Sequence, residues 1–148
     1  MKSEIRTTFD LMQACAKKLG GEDVILRMNG CAYEAYDGIS YKSESGAIMI
    51  DMRSGLDDTA SMRILLHELA HVALHVRKMP CTDVALLKPN SIKESLIVTD
   101  EVMREEDEAN LLMKKWIEWA RAYIDLFSDR FSGMENEEAI MWALLNYY

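Results

Sequence analysis

Residues 65–75 read Leu65-Leu66-His67-Glu68-Leu69-Ala70-His71-Val72-Ala73-Leu74-His75, and all three histidines of the 148-residue chain fall inside this stretch. On an α-helix, positions i and i+4 lie on one face about 6 Å apart, so His67 and His71 can each offer a ring nitrogen to a single Zn²⁺ at about 2.0 to 2.1 Å. Leu65, Leu66, Leu69, Val72 and Ala73 are then free to bury the other faces. The helical pattern starts near Thr59 and runs through Arg77, stopping before Pro80. A chain of this composition contains an H-E-x-x-H string by chance roughly once in two hundred, before a helical context is also required. The stretch therefore predicts an apolar helix carrying a metal site, with the rest of the domain built around it.

The residue types explain the chemistry. Glu68 follows the first histidine directly, beside the open coordination position, where a carboxylate can take a proton from water and later pass it to a leaving amine. A zinc ion lowers the pKa of its water towards about 7 and polarises a carbonyl, so the reaction implied is amide hydrolysis. The bland alternative is two half-buried histidines beside a solvated glutamate. His75 cannot join the same ion, because a rise of about 1.5 Å per residue puts its Cα about 12 Å from that of His67; a supporting or surface role is expected for it. The metzincin pattern is excluded too, since Leu74 and Arg77 stand where that pattern needs Gly and His.

A catalytic zinc usually has three protein ligands, and no histidine remains. The richest source is Glu105-Glu106-Asp107-Glu108-Ala109-Asn110, the acidic first part of a long helix. Carboxylates there also suit the helix dipole, but one facing inward is enough. By periodicity Glu105 and Glu108 share a face with Leu112, which favours them over Asp107.

Around this centre, Ser3 to Leu19 carries a helical apolar stripe that Gly20-Gly21 can end, and Asp23 to Met52 changes to short alternating runs punctuated by Asn29-Gly30, Asp37-Gly38 and Ser43 to Gly46. Three or four short antiparallel strands are expected there. Ser91-x-x-Glu94 can open a short helix. Thr99 or Asp100 caps a long helix to about Ser128 with Leu112, Trp116, Trp119, Tyr123 and Phe127 at helical spacing, and Glu135 to Tyr147 reads as the last helix.

Composition sets the outer limits. A 49% apolar content over this length suits one core and one domain, residues 1–148. Seventeen basic against 25 acidic residues, net charge −8, oppose general binding to nucleic acid or anionic membrane. Cys15, Cys31 and Cys81 form no C-x-x-C pair and read as reduced thiols. The first residues lack a secretory apolar run and no later run is long enough to span a bilayer, so a cytoplasmic location is expected.

These residues resemble the ImmA/IrrE-type metallopeptidases, zincins of the gluzincin kind. The similarity covers roughly the middle of the chain: the Gly46-Ala47-Ile48-Met49-Ile50 strand, the helix from Leu65 to His75, and Glu108-Ala109-Asn110. In that family the Glu directly before Ala-Asn looks like the third zinc ligand, which carries over onto Glu108. After Ala-Asn the family continues with Phe-Ala and a Leu-Met-Pro-like stop, where this chain has Leu111-Leu112-Met113-Lys114-Lys115, and the Asp that thermolysin-like enzymes place four residues after the ligand Glu is replaced by Leu112. The resemblance implies a cytoplasmic peptidase that cleaves a helix-turn-helix repressor. This chain shows no recognition-helix module, so contact with DNA would be the substrate's.

The expectation is thus an α+β zincin-like domain, a small antiparallel sheet packed on the active helix with a long C-terminal helical part. His67, His71 and Glu108 hold Zn²⁺, with Glu105 or Glu106 as substitutes for the third, and Glu68 is the base. The substrate enters extended along an edge strand near Ala47 to Met52, and Tyr33, Tyr36 and Tyr41 are candidate oxyanion donors. The alternative is a zinc-stabilised module that binds a protein partner without cutting it.

Overall fold

The computed structural model describes residues 9–28, 37–81 and 100–148. Four α-helices and a three-stranded sheet follow one another as α1 (Phe9–Gly20), β1 (Val24–Met28), β2 (Gly38–Lys42), β3 (Ile48–Met52), α2 (Asp58–Leu74), α3 (Asp100–Leu126) and α4 (Asn136–Tyr147), with single 3₁₀ turns at Val76–Lys78 and Ser128–Phe131. The mixed α+β class is as expected. No helix among the described residues is long and apolar enough to cross a membrane.

The sheet corrects the expected strand pairing. Its order is β1-β3-β2. β2 and β3 form an antiparallel hairpin, Gly38 opposite Met52 and Lys42 opposite Ile48, but β1 runs parallel to β3, Val24 beside Ile48 and Met28 beside Met52. The hairpin turn is closed by Ser43 N–H to Ala47 O at 2.8 Å and Gly46 N–H to Ser43 O at 2.9 Å, with Gly46 at φ +89°, a left-handed conformation that glycine adopts without strain. Burial explains the order. All five residues of β3, Ile-Met-Ile-Asp-Met, are buried, whereas β1 alternates buried and exposed and β2 is mostly half-covered. A strand buried on both faces takes the middle of a sheet and alternating strands take its edges. The Ala47 to Met52 segment is therefore central, and the edge strand beside α2 is β2. The expected strand between Cys31 and Tyr36 and the expected helix at Ser91 lie outside the described residues.

One face of the sheet meets the helices. Val24, Leu26, Ile48, Ile50 and Met52 join Leu65, Leu66, Leu69 and Val72 of α2, Leu11, Met12, Cys15 and Ala16 of α1, and Ile140, Met141 and Leu144 of α4 in one apolar cluster. On the other face Asp51, only 4% exposed, accepts from Arg27 Nε at 2.7 Å, Arg27 Nη2 at 2.8 Å and Tyr41 Oη at 2.8 Å. A buried carboxylate is tolerated because it is paired and fully hydrogen-bonded.

Helix α2 begins at Asp57, whose carboxylate accepts from Ala60 N–H at 2.7 Å, an N-cap bond that satisfies one of the free amides of the first turn. It ends at Leu74, one turn earlier than the apolar pattern suggests. His75 leaves the helix at φ −129° and ψ −50° while its N–H still reaches His71 O, and a 3₁₀ turn leads into Pro80. Helix α3 packs against both α2 and α4, burying Ala109, Met113, Trp116, Ile117 and Ala120, whereas none of residues 100–108 is buried.

Candidate metal centre

The three histidines and two carboxylates from α3 converge where α2 and the start of α3 approach each other. Nε2 of His67 and Nε2 of His71 stand 3.2 Å apart, as their i, i+4 spacing predicts. Glu106 spans the pair from α3, with Oε2 3.0 Å from His67 Nε2 and Oε1 2.9 Å from His71 Nε2. One ligand atom from each residue falls within a common 4.8 Å sphere of mutual distances, and among the described residues this is the group of His, Cys, Asp and Glu side chains that can hold a metal ion. The donor set suits zinc: a tetrahedral ion with bonds of about 2.0 to 2.1 Å needs its ligand atoms about 3.3 Å apart, close to the spacing measured here. Two imidazoles and one carboxylate also leave a fourth position open, as hydrolytic zinc sites require.

The third member of this group is Glu106, not the expected Glu108. Glu108 Oε1 lies 2.9 Å from His75 Nε2 instead. Helical phase is the reason. At about 100° per residue, Glu106 and Glu108 leave α3 about 160° apart: Glu106 shares its row with Ala109, Asn110 and Met113 and reaches His67 and His71, and Glu108 reaches the end of α2 at His75. Glu105 lines the same cleft as Glu106. The signal was present in the sequence. Stepping back three and seven positions from Ala109 and Met113 lands on Glu106, whereas the phase taken from Leu112, a residue only partly buried, pointed to the wrong carboxylates.

Glu68 is positioned from the sheet. Ser40 on β2 donates from Oγ to Glu68 Oε1 at 2.7 Å. Gly38, two residues earlier on the same side of the strand, lets β2 close on α2, since a Cβ there would sit 2.6 Å from Ile64 Cγ2 and 3.5 Å from Glu68 Cγ. Burial pushes the Glu68 carboxyl above the ordinary carboxylate range, opposed by the Ser40 hydrogen bond and by the neighbouring His71 and His67 rings. A carboxylate so raised suits proton transfer near neutral pH.

Strand parity settles one oxyanion candidate. Gly38, Ser40 and Lys42 face α2, and Tyr41 points to the opposite side of the sheet, where its hydroxyl donates to Asp51 Oδ2. Burial and that bond push its pKa up to about 12. Tyr41 is thus no part of the centre, and Tyr33 and Tyr36 lie outside the described residues.

The centre opens onto a cleft of about 480 Å³ whose walls include Gly38, Ile39 and Ser40 of β2, His67, Glu68 and His71 of α2, and Glu106 of α3. A second recess of about 310 Å³ adjoins it, lined by Ile64, Glu68, Asn110 and Met113 among others. Among the described residues the outer edge of β2 has no strand partner, so its main-chain groups border the cleft. No protein-family model, curated protein or solved structure matches the chain.

Proposed function

We propose that this chain is a zinc-dependent metallopeptidase that hydrolyses peptide bonds in a protein substrate. The observation that carries the reading is the meeting of His67 Nε2, His71 Nε2 and the Glu106 carboxylate at mutual distances of 2.9–3.2 Å, with the Ser40-held carboxylate of Glu68 on the same cleft. His67, His71 and Glu106 are the ligands. When bound, zinc supplies Lewis acidity, polarising the scissile carbonyl and lowering the pKa of water at the site to about 7.

The chain's own residues do the rest. An extended peptide adds to the open edge of β2 by main-chain hydrogen bonds, which brings its carbonyl over the centre. Glu68 takes the proton of the attacking water and hands it to the departing amine nitrogen, and Ser40 keeps that carboxylate in place through both transfers. The adjoining recess with Ile64 and Met113 accepts a side chain next to the cut bond. A helix-turn-helix repressor is the substrate class that the sequence resemblance offers, and the cytoplasm is the compartment.

The test pairs metal content with cleavage. Protein purified without added metal or a histidine tag should carry or take up about one zinc per chain. Glu68→Gln should keep the metal and lose proteolysis of a repressor cleaved by the wild type. A Glu68→Gln protein that cleaves at the wild-type rate refutes the assignment of the base. A wild-type protein that holds zinc, captures a partner and leaves it intact refutes the peptidase reading in favour of a non-cutting binding module.

A further inference from the structure

The metal-centre reading leaves His75 and Glu108 without a task, yet they form a continuous hydrogen-bonded line with His71. Nδ1 of His75 stands 3.1 Å from Nδ1 of His71, and Nε2 of His75 stands 2.9 Å from Glu108 Oε1. The His75 side chain is only 12% exposed. Its backbone N–H also donates to His71 O at 2.7 Å, because His75 sits just off the end of α2 rather than continuing it. Main chain and ring are both tied to the same residue.

The proton positions along this line follow from Glu108. An ionised carboxylate only accepts, so a neutral His75 must carry its proton on Nε2 and keep a lone pair on Nδ1. That lone pair faces His71, whose ring must then hold a proton on Nδ1. Without a metal, Glu106 Oε1 at 2.9 Å from His71 Nε2 draws a proton to that nitrogen too; a metal ion on Nε2 takes the place of that proton and leaves the Nδ1 proton to be donated to His75. Glu108 thus sets the tautomer of His75, and through it the Nδ1 proton that a metal-binding His71 needs.

The geometry points to His75 and Glu108 as positioning residues for a metal ion, holding His71 in the tautomer and ring orientation that present Nε2 to it. This rests on the metal-centre reading above and adds a division of labour on α3, Glu106 to the metal and Glu108 to the ring that supports it. Metal-binding histidines commonly donate their second nitrogen to a carboxylate or carbonyl, and loss of that partner typically costs 10- to 100-fold in affinity. Here a second imidazole stands between the ligand and the carboxylate.

The test titrates Zn²⁺ against a competing chelator in wild type, His75→Leu and His75→Gln, and reads ring tautomers in the metal-free and zinc-loaded proteins from long-range ¹H–¹⁵N spectra above pH 7.5. His75→Leu should weaken zinc binding 10- to 100-fold. His75→Gln should recover most of it, because glutamine can accept from His71 and donate to Glu108 at once. Wild-type spectra should show His75 protonated on Nε2 without metal, and His71 protonated on Nδ1 alone once zinc takes its Nε2. Equal affinity in all three proteins, equal loss in both variants, or His75 protonated on Nδ1 overturns the inference. A wild-type chain that takes up no zinc refutes the metal centre itself, and the metal-free tautomers still decide whether the hydrogen-bond line exists.

Discussion

Replacing Gly38 with alanine probes the contact that sets β2 against the active helix. The new Cβ would lie 2.6 Å from Ile64 Cγ2, about 1 Å inside the 3.5–4.0 Å optimum for two carbons. Ile64 cannot turn away cheaply, because a β-branched side chain on a helix is confined to essentially one χ1 rotamer. The strand must move instead, and a shift of about 1 Å stretches the 2.7 Å bond from Ser40 to Glu68 beyond hydrogen-bonding range. Overpacking of this kind costs about 1–3 kcal/mol, and the reduced freedom of the unfolded chain returns about 0.4–1 kcal/mol. The expected net loss is about 1–2 kcal/mol, read as a lower urea midpoint at unchanged slope in the metal-free protein. Ile64→Leu removes Cγ2 while keeping the side chain's size, so in that background the Gly38→Ala penalty should shrink by about 1 kcal/mol or more. A penalty below about 0.5 kcal/mol, or one equal in both backgrounds, refutes the argument.

Three further outcomes are expected. Glu106→Ala should lower zinc affinity by more than the 10- to 100-fold typical of a supporting partner, and chelator competition that finds a larger effect for Glu108→Ala reverses the two roles. The Cys15 thiol is buried, donates to Met141 O at 3.2 Å and has its pKa pushed up to about 12 by burial, so alkylation at pH 8 followed by peptide mass spectrometry should mark exposed Cys81 and spare Cys15; comparable labelling of both contradicts the packing of α1 on α4. Arg77 bonds Asp23 at 2.5 and 3.0 Å and thereby holds that carboxyl below its ordinary range. A group depressed on folding stabilises above its unfolded pKa of about 3.9 and loses that contribution as pH falls through the folded value. Asp23→Asn should therefore cost up to about 1 kcal/mol at pH 7, the range of an exposed pair, and progressively less below pH 4. A cost that persists at pH 2.5 rules out the ion pair as its source.

How far the amino-acid sequence discloses this molecule varies with the range of the forces involved. Helix α2, its two facing histidines and the Ser43–Gly46 hairpin turn are local, and side-chain spacing alone defines them. The parallel pairing of β1 with β3 is not local. Alternating runs suggest neighbours in sequence pairing in order, and only the unbroken burial of Ile48 to Met52 betrays a central strand flanked on both sides. Which carboxylate joins His67 and His71 is a matter of helical phase. Four acidic residues in a row look alike, and a reference residue that is half-buried, such as Leu112, misplaces the inward face by enough to exchange Glu106 for Glu108. Ser40 could be found only from the fold, since nothing in a lone serine on a strand names the helix it will meet.

The start of α3 carries a consequence for motion. No residue from Asp100 to Glu108 is buried, and from this segment Glu106 and Glu108 make polar contacts to the histidines. With no buried residue before Ala109, these turns are held mainly from their solvent-facing side chains, and local opening concentrates where buried apolar contacts are few. A metal ion on the proposed ligands would act as a clasp, joining side chains 35 positions apart in the chain and fastening this helix end. Amide hydrogens of residues 104–108 should exchange quickly in the metal-free protein and slow on zinc addition, while those around Trp116 stay unchanged. Uniform slowing along the whole of α3 would mean that the ion stabilises the entire fold rather than this end alone.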